Sequence, residues 1–320
     1  MRFIVFRGYS SGPMLQVSNA DRVVFPAVGR TKGEVVAYYE RVASHALVHL
    51  VDRPLSLRRF PKGLAAAGFF QKNVPAHYPD SIQRVAVPRR SKGKPEVTIY
   101  PVVSVAEHLA YLGNQGVIEL HVPTARVSDL HRPDRIVVDL DPPPGATALV
   151  RRAAHLTRAA LGAFGLETVP VATGSKGYHV VAAVRPTVTS DVISITMQKV
   201  GALLAARHPD ELTMAYRIAL RGGRVFVDWL RNREGATVVT PYSLRAREQA
   251  TVAAPLEWDE LDTTAPDAFT MGDVDRLLDR PDSLARLAGA PADTEAFVAA
   301  VDGAFAASGL VLETFDRFRS

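Results

Sequence analysis

The sequence predicts a mixed α/β protein in which helices and strands alternate along the chain. Three observations predict it. Apolar residues recur at helical spacing in some stretches, and short valine- and isoleucine-rich runs bounded by turn residues lie between them. The 320 residues are 47% apolar and 22% charged, with 22 glycines and 22 prolines, which excludes collagen-like and disordered classes. No internal repeat or low-complexity tract breaks the pattern.

The first helix is expected over Thr31–Leu50. Thr31 and Glu34 make a capping box, and Val35, Tyr38, Tyr39, Val42, Ala46 and Leu50 form one apolar stripe. A second box, Ser104 with Glu107, is expected to open a short helix that stops at Gly113. Strands are expected at Val97–Val103, Val117–Val122, Arg135–Asp141, Thr168–Ala172, His179–Val184 and Arg224–Leu230. Helical patterns lie at Thr147–Phe164, closed by Gly165, and at Ser190–Arg207; small amphipathic helices follow Trp258. Together these suggest an α+β arrangement of two modules in one compact catalytic unit: an N-terminal α/β module over 1–125 and a sheet core with C-terminal helices over 126–320.

Lys and Arg exceed Asp and Glu by 38 − 33 = 5, which suits a polyanionic partner without requiring one. The chain has no cysteine, so disulfides, iron–sulfur clusters, thiolate zinc sites and cysteine nucleophiles are excluded. Met1–Arg7 is too short and too charged for a signal sequence, and no run approaches the roughly 18 apolar residues of a membrane span. The expectation is a soluble, cytoplasmic protein.

Chemistry concentrates in Arg135–Gly145. On a strand, Asp139 and Asp141 point to one face and Val138 and Leu140 to the other, so two carboxylates lie roughly 7 Å apart, a spacing that suits a divalent cation. A solvated strand end would look the same. Asp228, inside the apolar run Val225–Leu230, adds weight, because a lone carboxylate there is costly unless paired or metal-bound. Its structural alternative is an ion pair with Arg224 or Arg231. Three strand aspartates suit two-metal phosphoryl or nucleotidyl transfer.

Thr173–His179 places glycines around Ser175 and Lys176, so backbone amides and one point charge can meet an anion. The Walker A spacing is absent, and a plain hairpin tip would also fit. His121 alternates out of phase with Ile118, Leu120 and Val122 and shares its face with Glu119; a satisfied histidine is the common outcome. His45 and His49 read as ordinary helix residues. Arg58, Arg59, Phe69, Phe70 and Lys72 interleave charge with aromatics, as single-strand-binding surfaces do, although alternation should bury one phenylalanine. The basic tip Arg89–Lys94 suits a phosphate backbone or plain solvation. These residues leave open a polymerase, a two-metal nuclease or phosphoesterase, and a non-catalytic DNA-end-binding scaffold.

In order, Ser18–Arg22, Thr31-Lys32, Phe69–Lys72, Glu119–Val122, Asp139–Pro142, Thr173–His179, Phe226–Trp229 and Thr240–Arg247 resemble the polymerase domain of bacterial ligase D, in the archaeo-eukaryotic primase superfamily. The resemblance spans roughly residues 14–290 and implies a primase-polymerase fold: a central mixed or antiparallel, RRM-like sheet flanked by helices. It implies addition of NTPs or dNTPs to primer 3′ ends at gaps or double-strand breaks, with two Mn²⁺ or Mg²⁺ ions on Asp139, Asp141 and Asp228. By the same resemblance, Ser175, Lys176, His179, His121, Arg245 and Arg247 surround the nucleotide. It likewise implies that Arg22 and Lys32 meet a 5′-phosphate, that Phe69 and Phe70 stack on the template and that Arg89 and Arg90 engage DNA; Arg59 and Lys72 are expected DNA contacts from the basic–aromatic cluster. Ku and a separate DNA ligase are the implied protein partners, with no membrane, and a nucleoid-associated location. The sequence departs from the family pattern at Pro143-Pro144-Gly145, at Tyr178, at position 22 (usually lysine) and in a longer loop at Arg89–Lys94. No ligase or phosphoesterase segment accompanies it, so the expectation is a stand-alone polymerase or a fragment of a longer protein.

Overall fold

The Arg135–Asp141 strand organises the molecule. A computed structural model describes residues 15–89 and 96–312, and in it this strand lies inside a six-stranded sheet. The order is Leu212–Thr213, Val225–Asp228, Arg135–Asp141, Tyr178–Ala183, Val169–Ala172 and Ala254–Pro255. Every pairing is antiparallel except the parallel edge pair Leu212–Thr213 with Val225–Asp228. The expected central mixed sheet is present, with strand bounds moved by one or two residues.

Alternation decides what covers each face. Ile136, Val138 and Leu140 join the main core with Val150, Ala154 and Leu161 of helix Thr147–Ala163 and with Ile193, Met197 and Leu204 of helix Ser190–Arg207. Val137, Val181, Val169 and Val171 line the other face, where Leu284 and Leu287 of helix Ser283–Ala288 pack on them. The aspartates emerge on this second face, at the end of the strand beyond the apolar cover.

A four-stranded antiparallel sheet, in the order Val238–Val239, Val117–Val122, Ser56–Arg59 and Phe69–Gln71, stands beside it. A hairpin of Gln83–Arg89 and Glu96–Val102 supplies the expected strand near Val97–Val103 together with a partner that periodicity did not reveal. Helices Val274–Leu278, Ser283–Ala288 and Thr294–Ser308 provide the expected small C-terminal helices. Among the described residues no helix is long and apolar enough to cross a membrane.

Three local expectations are corrected. The stretch Thr31–Leu50 forms two helices, Lys32–Arg41 and Ala43–Leu50, separated at Val42. Its capping box does form, with the Thr31 N–H donating to Glu34 Oε2 at 2.7 Å and the Glu34 N–H to Thr31 Oγ1 at 3.3 Å. The box at Ser104 does not form: Val105 occupies the N-cap, and the Ser104 N–H donates to His108 Nδ1 at 3.2 Å. That helix runs to Asn114, and the chain turns at Gly116 (φ 75°). Gly113 is inside the helix, where a Cβ would meet Tyr39 and Val36 at 3.4–3.5 Å; it serves a close helix crossing rather than a stop. The third concerns the Arg224–Leu230 run, which ends as a strand at Asp228 and continues as a 3₁₀ turn over Leu230–Asn232.

Candidate active site

Strand register assembles the acidic residues. Asp139 lies opposite Asp228 on one neighbouring strand and opposite His179 on the other. Residues paired in this way share a face, and Asp141, two along, shares it too. The three aspartates and His179 therefore meet at one end of one face.

Asp228 is 4% exposed. Its Oδ1 accepts the Leu230 N–H at 2.9 Å, which starts the 3₁₀ turn. Asn232 then pins that turn to the aspartate strand, accepting from the Val137 N–H at 2.9 Å and donating to its carbonyl at 2.7 Å. The turn swings Arg231 back over the carboxylates, so that its Nε is 3.1 Å from both Asp139 Oδ2 and Asp228 Oδ2. Of the two expected partners, Arg231 pairs; Arg224 donates instead to the carbonyls of Pro209, Leu220 and Arg221. Lys176 Nζ lies 3.3 Å and Arg221 Nη1 3.8 Å from Asp141.

Burial, reinforced by Asp139 and Asp141 and only partly opposed by Arg231, raises the Asp228 carboxyl to about 6. Burial lowers His179 to about 4, so its imidazole is neutral at pH 7, with Nε2 at 3.6 Å from Asp139. Three hard oxygen donors on one face suit a cation of the magnesium or manganese type. As the side chains stand, among the described residues no three carboxylates or imidazoles enclose an ion, and Arg231, Lys176 and Arg221 supply the compensating charge.

The glycine loop reaches this face because it lacks side chains where it must. A Cβ on Gly177 would lie 2.0 Å from the Leu140 carbonyl oxygen; one on Gly174 (φ 65°) would lie 2.7 Å from Arg245 Cγ and 2.8 Å from the Val252 carbonyl. Arg245 donates to the Thr173 carbonyl, and Arg247 to Ser175 Oγ at 2.6 Å. Ser175, Lys176, His179, His121, Arg245 and Arg247 all line one cavity of about 220 Å³ with Asp139 and Asp141. Asp228 is set deeper and does not line it.

His121 and Glu119 share a face as expected, but it is not a solvent face. Glu119 is 2% exposed. Its Oε2 is 2.9 Å from His121 Nε2, and Oε1 lies 3.1 Å from Arg58, 3.4 Å from Arg245 and 2.9 Å from the Ala246 N–H. Although burial acts against it, these partners hold the Glu119 carboxyl far below the ordinary range.

Arg22, Lys32 and Arg59 converge on a second pocket, of about 200 Å³. Lys32 is 7% exposed and donates to Ser18 O at 2.7 Å and Ser18 Oγ at 2.8 Å. Arg22 donates to the Pro61 carbonyl at 2.6 Å. Among the described residues no acidic side chain pairs with Lys32 or Arg22. Burial, with Arg22 beside it, lowers Lys32 to about 8.

The expectation that one phenylalanine is buried is corrected: Phe69 is 48% and Phe70 57% exposed. Their strand is a three-residue edge, too short to be covered. They still alternate. Phe69 pairs with Arg59, which lies over its ring at 5.7 Å, and Phe70 with Arg58, at 5.8 Å. Phe70 also meets the His121 ring edge-on at 5.4 Å. Lys72 is not brought to either pocket; it lines a third cavity, with Tyr100 and Arg233. Arg89 ends the strand Gln83–Arg89, and Arg90 lies outside the described residues.

Comparison with known proteins decides the family. The family model described as "LigD, primase-polymerase domain" matches residues 31–284. The chain belongs to that family. It is 35% identical over 288 residues to the "Multifunctional non-homologous end joining protein LigD" of Mycolicibacterium smegmatis, covering 89% of this chain and 37% of that protein. It is 31% identical over 271 residues to the "Bifunctional non-homologous end joining protein LigD" of Bacillus subtilis, covering 84% of this chain and 42% of that protein. A solved "Polymerase Domain from Mycobacterium tuberculosis Ligase D in complex with DNA" superposes with a TM-score of 0.80 at 34% identity, over 87% of this chain and 99% of that one. The chain thus spans less than half the length of the curated relatives named here and has the fold of a LigD polymerase domain. The chemistry of the LigD primase-polymerase family is DNA nucleotidyl transfer with metal ions, in end-joining repair.

Three groups at the site carry more than the sequence indicates. Arg231 reads there only as a structural partner, although three positions after a strand-end aspartate is where a turn returns a side chain. Glu119 reads only by its phase, although a carboxylate two before a histidine on a strand must share its face. Arg221 carries no signal of its own.

Proposed function

We propose that this chain is a DNA-dependent nucleotidyltransferase that extends primer 3′ ends with NTPs or dNTPs at gaps and double-strand-break ends. The observation that carries this reading is the row Asp228–Asp139–His179 across three strands, with Lys176 of the glycine loop beside Asp141. Asp139, Asp141 and Asp228 would hold two Mg²⁺ or Mn²⁺ ions, which when bound supply Lewis-acid stabilisation of the phosphates and of the attacking oxygen. Arg231 lies between two of these carboxylates and gives way to bound cations.

The incoming triphosphate lies along the glycine loop. Lys176, Ser175 and Arg247 donate to its oxygens and offset charge as pyrophosphate departs, an electrostatic contribution from groups already in place. Neutral His179 donates a hydrogen bond without adding net charge, and His121, whose Nε2–H is held by the Glu119 carboxylate at 2.9 Å, lines the cavity beside it. The primer hydroxyl attacks the α-phosphorus in line with the leaving pyrophosphate. Arg22, Lys32 and Arg59 receive the 5′-phosphate of the downstream strand. Phe70 stacks beside the nucleotide site and Phe69 beside the phosphate pocket, while Lys72, Arg89 and Arg90 contact the DNA backbone. Residues 1–125 then act as the DNA-end module and 126–320 as the catalytic module. Ku and a separate ligase are the proposed partners, at the nucleoid in the cytoplasm.

Extension of a duplex with a gap of one to a few nucleotides tests this reading, comparing both metals, both sugars and both 5′ termini. Metal-dependent lengthening favoured by a 5′-phosphate supports it. Strand shortening would favour a nuclease, and binding without incorporation a scaffold.

A further inference from the structure

Glu119 stands where the nucleotide cavity, the glycine loop and the exposed aromatic edge meet, and the mechanism above gives it no task. It lies opposite Arg58 across the Ser56–Arg59/Val117–Val122 pairing, and Arg58 lies opposite Phe70 on the next strand. One sheet face therefore carries Glu119, His121, Arg58 and Phe70 in contact. Arg58 lies over Phe70 at 5.8 Å, Phe70 meets His121 at 5.4 Å, and both Arg58 and His121 end on the Glu119 carboxylate at 3.1 and 2.9 Å. From the far side Arg245 approaches the same carboxylate at 3.4 Å and donates to the Thr173 carbonyl of the glycine loop. The Ala246 N–H completes the set at 2.9 Å.

A single buried anion that orients two guanidiniums and an imidazole fixes their relative positions, because the arginines would otherwise repel each other and the imidazole would turn toward solvent. We infer that Glu119 is a positioning residue that couples the template strand to the incoming nucleotide: stacking at Phe70 sets Arg58, and Glu119 relays that setting to His121 and Arg245 at the nucleotide. The inference rests on the polymerase reading above. Glu119 itself touches neither substrate; it acts through Arg58, His121 and Arg245.

Two variants separate this role from plain folding support. Glu119→Gln keeps the size and removes the charge; Arg58→Met, at the partly exposed rim, removes the arm between Phe70 and Glu119 and leaves the His121 and Arg245 contacts with Glu119 in place. Nucleotide KM and kcat are measured on a templated gap and in untemplated end addition, alongside duplex affinity, thermal melting and binding of a fluorescent non-hydrolysable nucleotide. Charge-assisted bonds of this kind predict that Glu119→Gln raises the nucleotide KM about tenfold or more, with kcat held within about threefold and duplex affinity unchanged. Arg58→Met raises KM on the templated gap by a larger factor than in untemplated addition, and Glu119→Asp restores part of the loss. Proportional losses in KM, kcat and duplex affinity, or a folded Glu119→Gln with wild-type KM, overturn the inference. If Glu119→Gln does not fold, an unchanged templated KM in Arg58→Met overturns it. A wild-type protein that binds no nucleotide overturns the polymerase reading itself, whereas normal wild-type binding with both variants unaltered overturns only the role of Glu119.

Discussion

Replacing Asp228 by asparagine should make the metal-free protein more stable and inactive. The wild-type carboxyl is raised from 3.8 to about 6 by burial and by Asp139 and Asp141, which corresponds to ~3 kcal/mol against its charged form. Because the folded value exceeds the unfolded one, this penalty is absent below pH 3.8, grows between the two values and is full above pH 6. Asparagine keeps the oxygen that accepts from the Leu230 N–H at 2.9 Å, and the attraction to Arg231 at 3.1 Å is already contained in the raised value. The gain at pH 7.5 is then about 2–3 kcal/mol, several degrees in melting temperature for a chain of this length. Thermal melts in chelator at pH 7.5, 6 and 4.5 measure it, with primer extension in parallel. The Asp228→Asn advantage should shrink to about 1 kcal/mol at pH 4.5, and extension should fall by about a thousandfold or more. A variant less stable than wild type at pH 7.5, or an advantage that ignores pH, would refute the reasoning.

Lys32, lowered to about 8, loses its charge as pH rises past that value, so the preference for a 5′-phosphate over a 5′-hydroxyl gap should decline from pH 7 to 9; in Lys32→Gln, binding titrations should find it weak throughout. Gly177→Ala places a methyl 2.0 Å from the Leu140 carbonyl, and pushing the glycine loop off the aspartate strand should cost about 1–3 kcal/mol in denaturant unfolding and most of the extension activity. Phe69 and Phe70 should separate in function. Phe70→Ala should raise the nucleotide KM on a templated gap, and Phe69→Ala should weaken binding of 5′-phosphorylated gaps; a common effect of both would contradict their opposite facing.

Legibility followed locality. The alternation in Arg135–Asp141, the capping box at Thr31 and the glycine-flanked Lys176 are read from neighbours in the chain, and each stands where the sequence placed it. The meeting of Asp139, Asp228 and His179 depends on strand register, which periodicity does not specify; the chemistry of strand carboxylates grouped the aspartates as an expectation, and only the family resemblance added His179 to them. Two-residue strands such as Val238–Val239 and Ala254–Pro255 are too short to show a period. Gly113 misled because a helix crossing and a helix stop both select glycine, and Ser104 because a capping sequence formed no cap. Glu119 and Arg231 were underestimated for a common reason: their partners come from other strands and turns, so their charges looked like ordinary polar residues until the sheets were assembled.

The claim at the centre is that Asp139, Asp141 and Asp228 jointly hold metal against a triphosphate cradled by Ser175 and Lys176. Anomalous diffraction from crystals soaked with Mn²⁺ and a non-hydrolysable nucleoside triphosphate tests it most directly. The account predicts manganese peaks in contact with all three carboxylates and the triphosphate against the glycine loop, with Arg231 displaced from between Asp139 and Asp228. Manganese bound elsewhere, or a triphosphate seated with Arg231 still bridging the two aspartates, would contradict it.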